Sequence, residues 1–225
     1  MEKKIKYFKD RIEKNNLNKI EIDEFLVNII EDATRKAFEK LFKDYDENFY
    51  YCSLLTTGEG LCPVISAFSE EALDREVLNI IKTNIEKDIE EEKKYLRWSY
   101  ADSPYYAYGY EEYFLEIKDI LIKRKEVIKK NRSEKKVDEM LDNEINLIIN
   151  SMEKAMSNLD KEGLFGKGEN RNNVFIAVEF MPPDPTNIIR AIRLNKEENK
   201  EFKHWFKEEA ELEVLDKWLN ELELN

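Results

Sequence analysis

Between Leu96 and Phe114 the chain reads LRWSYADSPYYAYGYEEYF, which holds one of its three tryptophans and six of its eleven tyrosines. Indole and phenol rings offer wide apolar faces with a polar tip, a chemistry enriched where proteins meet other molecules. Arg97 and Asp102 set charge of both signs among them. Trp98, Tyr100 and Tyr105 are therefore expected as binding anchors, flanked by Arg97 and Asp102. The competing expectation is that Trp98 and alternate tyrosines fill the core, while Asp102 or Ser103 holds a turn before Pro104.

Four carboxylates invite a second chemistry. Glu59, Asp102, Glu179 and Asp184, if brought together, could do acid–base work or hold a divalent cation. Their spacing does not demand it. Glu59 suits a turn, and Asp184 before Pro185 suits a helix cap. No catalytic residue, metal or cofactor is assigned, and Glu59, Asp102 and Asp184 are read as acids able to pair with a basic partner. Glu179 lies inside an almost continuous apolar run, Val174 to Met181, where a buried carboxylate needs a partner. Gly166-Lys167-Gly168 lacks the spacing of a phosphate loop and precedes a strand rather than a helix. His204, the single histidine, has no nucleophile beside it and reads as structural. Cys52 and Cys62 flank a turn at Gly58. Cys52 should fall opposite Ile65 or Ser66, leaving the thiols roughly 13 Å out of register and free.

The elements that must position these groups follow from periodicity. Residues 1–17 form a short charged helix. Asp23 caps a helix whose apolar positions from Leu26 to Leu41 recur every three or four residues, ending near Asp44. Two β-compatible runs, 49–57 and 61–68, make a hairpin, with Pro63 at an edge or bulge. Ser69 caps the next helix, with Val77, Ile81, Ile85 and Ile89 as its stripe. The aromatic stretch ends that helix and another follows it to Ile128. Lys123 to Lys136 reads as an exposed connection. The longest helix spans Val137 to Leu159 and stops at Gly163. The strand at 174–181 leads into a short helix opened by Asp184, and a last acidic helix carries Phe202 to Leu222. The expected fold is α+β, a small, mainly antiparallel sheet (hairpin 49–68 plus strand 174–181) covered by amphipathic helices in one domain, 1–225.

Composition narrows the partners. A net charge of −12 argues against nucleic acid, since phosphate binding needs a basic face. It would instead steer a basic protein partner inward. The first sixteen residues hold no apolar signal core, and no apolar run approaches the roughly 20 residues that span a bilayer. No membrane role and a cytoplasmic location are expected. The oligomeric state is open.

Four blocks, FYYCSLLTTGEG at 49–60, LRWSYADSPYYAYG at 96–109, GLFGKG at 163–168 and VEFMPPDPTN at 178–187, resemble the bacterial family catalogued as domain of unknown function 4303. The resemblance spans about residues 25–195, leaving the N-terminal helix and the C-terminal acidic helix as additions. Cys52 stands where an aromatic is expected. The resemblance implies an α+β fold and a cytoplasmic bacterial protein, and carries over no activity, cofactor or catalytic residue. The leading expectation is a non-enzymatic protein-binding module, such as an immunity-type inhibitor of a basic toxin. The alternative is an enzyme or small-ligand protein with a cleft between 96–109 and 181–185. A third is a structural subunit that docks its last helix on a copy of itself.

Overall fold

Two aromatic and β-branched runs, Phe49–Thr57 (β1) and Val64–Ser69 (β2), pair antiparallel in this computed structural model. The structure describes all residues except 58, 59, 61, 84–86, 131, 132 and 225. Cys52 lies opposite Ala67, not Ile65 or Ser66, because the connection is longer than a tight turn centred on Gly58. Both cysteines are free thiols. Phe175–Met181 (β3) lies along the other side of β1 in parallel register, from Tyr51 opposite Phe175 to Thr57 opposite Met181. A parallel neighbour needs a long crossover, and the helices between β2 and β3 provide it. The α+β class holds, with the sheet in the order β2-β1-β3.

Local chemistry sets the helix ends. After Glu2–Lys14 (α1), Asp23 opens Glu24–Asp44 (α2) by accepting from the backbone N–H groups of Phe25 and Leu26. Ser69 Oγ accepts from Ala72 N at 2.9 Å and starts Glu70–Thr83 (α3). The expected stripe from Val77 to Ile89 is not one helix. Ile89–Leu96 (α4) has its own cap, Asp88, which takes the N–H groups of Glu90 and Glu91; Ile85 lies outside the described residues.

After a single turn at Tyr110–Tyr113 (α5), Leu115–Lys129 (α6) runs through much of the segment expected as a connection. Lysine and arginine are good helix formers, so that basic stretch stays helical almost to the start of Glu134–Glu162 (α7). Gly163, at φ +92°, closes α7 in a left-handed conformation that suits glycine. Pro185–Leu194 (α8) begins at Asp184 as expected. The last helix is two, Lys200–Glu208 (α9) and Leu212–Leu224 (α10). Acids at 208, 209 and 211 oppose the negative end of the α9 dipole and favour the break.

Strand pairing puts Tyr51, Ser53, Phe175, Ala177 and Glu179 on one face of the sheet. The 96–100 segment and α9 cover that face, while α2 and α7 pack against the sheet from the other side. No described helix is long and apolar enough to cross a membrane.

Candidate functional site

The aromatic stretch is a strap tied down over the hairpin. Ser66 Oγ donates to the Tyr100 carbonyl at 2.7 Å, Tyr50 Oη to that of Arg97 at 2.8 Å, and Ala107 N donates to that of Ile65 at 2.9 Å. Ser103 Oγ donates to the Ala67 carbonyl. Arg97 lies over the Tyr50 ring at 4.1 Å and pairs with Glu70 at 2.8 Å and Glu201 at 3.0 Å. Tyr105 is 2% exposed, and its hydroxyl donates to Glu47 at 2.6 Å while accepting from Arg75 at 2.8 Å. Asp102 is exposed and accepts from Ser99 Oγ, holding the turn before Pro104.

These placements correct part of the expected surface. Tyr105 is no exposed anchor, because its ring is enclosed and its hydroxyl is engaged inside the fold. Arg97 is already neutralised by two carboxylates. Trp98 is 8% exposed and its indole meets Phe175 edge-on, at 5.9 Å and 83°. Tyr100 is half-buried. Glu59 lies outside the described residues.

What remains of Trp98 opens into a cleft of about 270 Å³. Its floor is Ala177 and Glu179, which the β3 alternation points the same way as Phe175. One wall is the turn into α8, with Pro183, Asp184 and Asn187; the other is Trp205, Glu209 and Glu211, from the α9–α10 corner. Trp205 is set by stacking on Phe175, 4.7 Å between centroids and 25° between planes. Asn187 locks the α8 wall by pairing with both backbone groups of Phe180, at 3.0 and 3.1 Å. Asp184 Oδ1 accepts from Thr186 N at 2.8 Å while its residue stays exposed at the cleft mouth. Four carboxylates therefore line the cleft, and none of its described lining residues is Lys, Arg or His.

Their electrostatics follow. Glu179 sits at the floor, where protein surrounds it although it keeps partial solvent contact. Burial pushes its carboxyl up to about 7, against the opposing hydrogen bond from Tyr51 Oη and the charge of Arg190. Burial and the same glutamate push Tyr100 up to about 12. Glu209 is also raised, by burial and then by Glu208, with Lys94 opposing. In both carboxyls burial outweighs the opposing positive charge, of Arg190 on Glu179 and of Lys94 on Glu209. The arrangement suits a bound cation or a proton held near neutrality. Among the described residues, no group of three or more His, Cys, Asp or Glu side chains stands close enough to hold a metal ion.

The strap is one of the blocks that carry the resemblance seen in the sequence, and the end of the floor strand together with the α8 turn is another. A match to a known family runs over residues 30–197. The chain belongs to the family described as Domain of unknown function (DUF4303). No curated protein and no solved structure matches it. The DUF4303 region contains Trp98, Glu179 and Asp184, whereas Trp205, Glu209 and Glu211 lie beyond it. Thus the family region builds the floor and one wall, and the C-terminal helices add the other.

Of the expected binding residues that the structure describes, Trp98 and Asp184 meet in the cleft, together with Glu179 from the four carboxylates considered. Arg97, Tyr100, Asp102 and Tyr105 belong to the strap and do not line it. Sequence reading missed Trp205, Glu209 and Glu211. Their signal was a tryptophan close to a run of carboxylates, masked by treating the segment as one amphipathic helix.

Proposed function

We propose that this protein is a non-enzymatic binding module whose cleft takes a positively charged side chain from a basic protein partner. The observation that carries the reading is the lining itself, four carboxylates and two indoles with no basic side chain among its described residues. Indole faces attract cations, and carboxylates bind guanidinium and ammonium groups through charge-assisted hydrogen bonds. A volume of about 270 Å³ suits one long basic side chain rather than a large free ligand. The net charge of −12 would speed encounter with a basic protein. An immunity-type inhibitor of a toxin in a bacterial cytoplasm is the role this reading points to.

Calorimetric titration with short arginine-rich, lysine-rich and glutamate-rich peptides tests it. Saturable binding of the basic peptides, weakened about ten-fold by Glu211→Lys and again by Glu209→Lys, is expected. Equal binding of the acidic peptide, or indifference to both variants, would sink the reading.

One observation favours a second use of the same cleft. A glutamate carboxyl at about 7, hydrogen-bonded by a buried tyrosine, can act as a general acid or base at neutral pH. In that case Glu179→Gln abolishes turnover of a small substrate while leaving its binding intact. Turnover unchanged in Glu179→Gln would remove that use.

A further inference from the structure

The most buried arginine among the described residues has no carboxylate within ion-pair distance. Arg11 and Arg171 are also buried, at 8% and 9% exposed, and both pair with carboxylates, Arg11 with Asp216 at 2.6 Å and Arg171 with Asp160. Arg190 is 4% exposed. Its Nε donates to the Val178 carbonyl at 3.2 Å and its Nη2 to Asn187 Oδ1. Among the described residues no carboxylate lies within ion-pair distance of it, and Nη1 has no hydrogen-bond partner. A guanidinium carries five N–H donors in a fixed fork, and the Nη1 edge, which is not sealed inside the protein, is left for solvent or a ligand in the cavity to meet. Burial lowers the Arg190 pKa to about 10, although Asp184 and Glu153 lie near enough to oppose the drop in part.

Arg190 forms part of the wall of a second cavity, about 290 Å³, on the side of α8 away from the cleft. The i, i+3, i+4 spacing of a helix divides the two: Asn187, Ile188 and Ala191 face the cleft, while Thr186, Ile189, Arg190 and Arg193 face this cavity. Asn146 and Asn150 of α7 add amide groups, Phe180 and Trp218 add apolar surface, and Lys19 stands exposed at the rim. Arg193 is already committed, to Glu153 at 2.6 Å and to the Leu17 carbonyl. Asp184 reaches the shared edge of both cavities, with Oδ1 engaged as the α8 cap. Among the described residues lining this cavity, Arg190 is the buried cation without a carboxylate partner, and a nearby aspartate disfavours a ligand with more than a single negative charge.

We propose that this cavity binds a small organic monocarboxylate, its carboxylate facing Arg190 and its apolar body against Phe180 and Trp218. The carboxylate would supply the partner that Arg190 lacks, and the amides of Asn146 and Asn150 offer further donors. The site is independent of the cation cleft. It takes the opposite charge on the opposite face of α8, so failure of either reading leaves the other standing.

Titration of the whole protein with phenylacetate, phenylacetamide and inorganic phosphate, followed by calorimetry and tryptophan fluorescence, tests the assignment. Phenylacetate is expected to saturate and the neutral amide to bind at least ten-fold more weakly, because only the acid neutralises Arg190. Since Arg190 also holds Val178 and Asn187, its replacement would perturb folding. Asn150→Asp is the cleaner variant, adding a like charge at nearly constant shape, and should weaken phenylacetate about ten-fold at unchanged melting temperature. Trp218→Phe should remove the fluorescence response, whereas Trp205→Phe should keep it. Absence of saturable phenylacetate binding, equal affinity for the amide, preference for phosphate, or a response that survives in Trp218→Phe would each overturn the site.

Discussion

Glu47 and Glu179 are both glutamates enclosed near the sheet and both accept from tyrosine, yet the protein treats them in opposite ways. At the closed end, Glu47 receives Ser69 Oγ, Arg75 Nη1 at 2.6 Å and Tyr105 Oη at 2.6 Å. Burial pushes its carboxyl up, but the three donors outweigh burial and hold it below the ordinary glutamate value. At the open end, Glu179 receives the Tyr51 hydroxyl alone, and burial wins. Donor count decides the sign. A carboxylate with its acceptor sites filled is part of the scaffold, while one left short of donors beside a cavity is available to something from outside.

That contrast predicts a graded series of variants. Glu47→Ala should have the largest effect, a loss of about 3 kcal/mol in denaturant unfolding at pH 7, because it removes the acceptor of two hydroxyls on buried residues, Ser69 and Tyr105, together with the ion pair of Arg75. A loss below about 1 kcal/mol would mean that Glu47 is not the closed-end keystone. Glu179→Gln should act with pH-dependent sign. The native state holds the Glu179 proton more tightly than the unfolded chain does, so the unfolding free energy falls as pH rises from about 4.5 to about 7 and levels off above. The slope from this one group cannot exceed about 1.4 kcal/mol per pH unit. Glutamine removes it. The variant should match the parent near pH 5 and exceed it in stability at pH 8, and parallel unfolding curves across that range would refute the assignment.

Much of the closed end was legible in sequence, because its signals are local. Asp23 and Ser69 announced their helices through capping chemistry, as Asp184 did at the cleft mouth, and Gly163 announced the end of the longest one. Even the Asp102 turn followed from Ser, Asp and Pro in close succession. The open end was legible only in part, because it is assembled from residues far apart in the chain. Glu179 was marked as needing a partner by its place in an apolar strand, but nothing local names Tyr51, 128 positions earlier, as that partner. Trp205, Glu209 and Glu211 were absorbed into one helix because their apolar period continues across the break. Trp98 and Tyr105 misled for the same reason. Aromatic density reports that packing will occur and is silent on which ring faces out.

A smaller effect is expected where the cleft meets solvent. Glu211 is exposed and its carboxylate makes no hydrogen bond to a described residue, so Glu211→Lys should leave the unfolding free energy within about 0.5 kcal/mol of the parent. The same change should weaken basic-peptide binding about ten-fold, separating the cleft's charge from the scaffold's stability.

The smallest effect should come from Asp102, which places the binding surface most sharply. Its carboxylate is exposed and accepts only from Ser99, so Asp102→Ala should cost less than about 0.5 kcal/mol. Asp102→Arg carries a stronger test, because it reverses a charge on the strap without touching the cleft lining. If the partner's cation sits between Trp98 and Trp205, the added charge acts only through solvent, where salt screens it over about 8–10 Å. Affinity for an arginine-rich peptide should then change by less than about two-fold at physiological ionic strength, and by more as salt is removed. A ten-fold loss that persists in high salt would mean direct contact at Asp102. The strap, tied down though it is, would then be the binding face, and the unpaired carboxylates beside β3 would need another explanation.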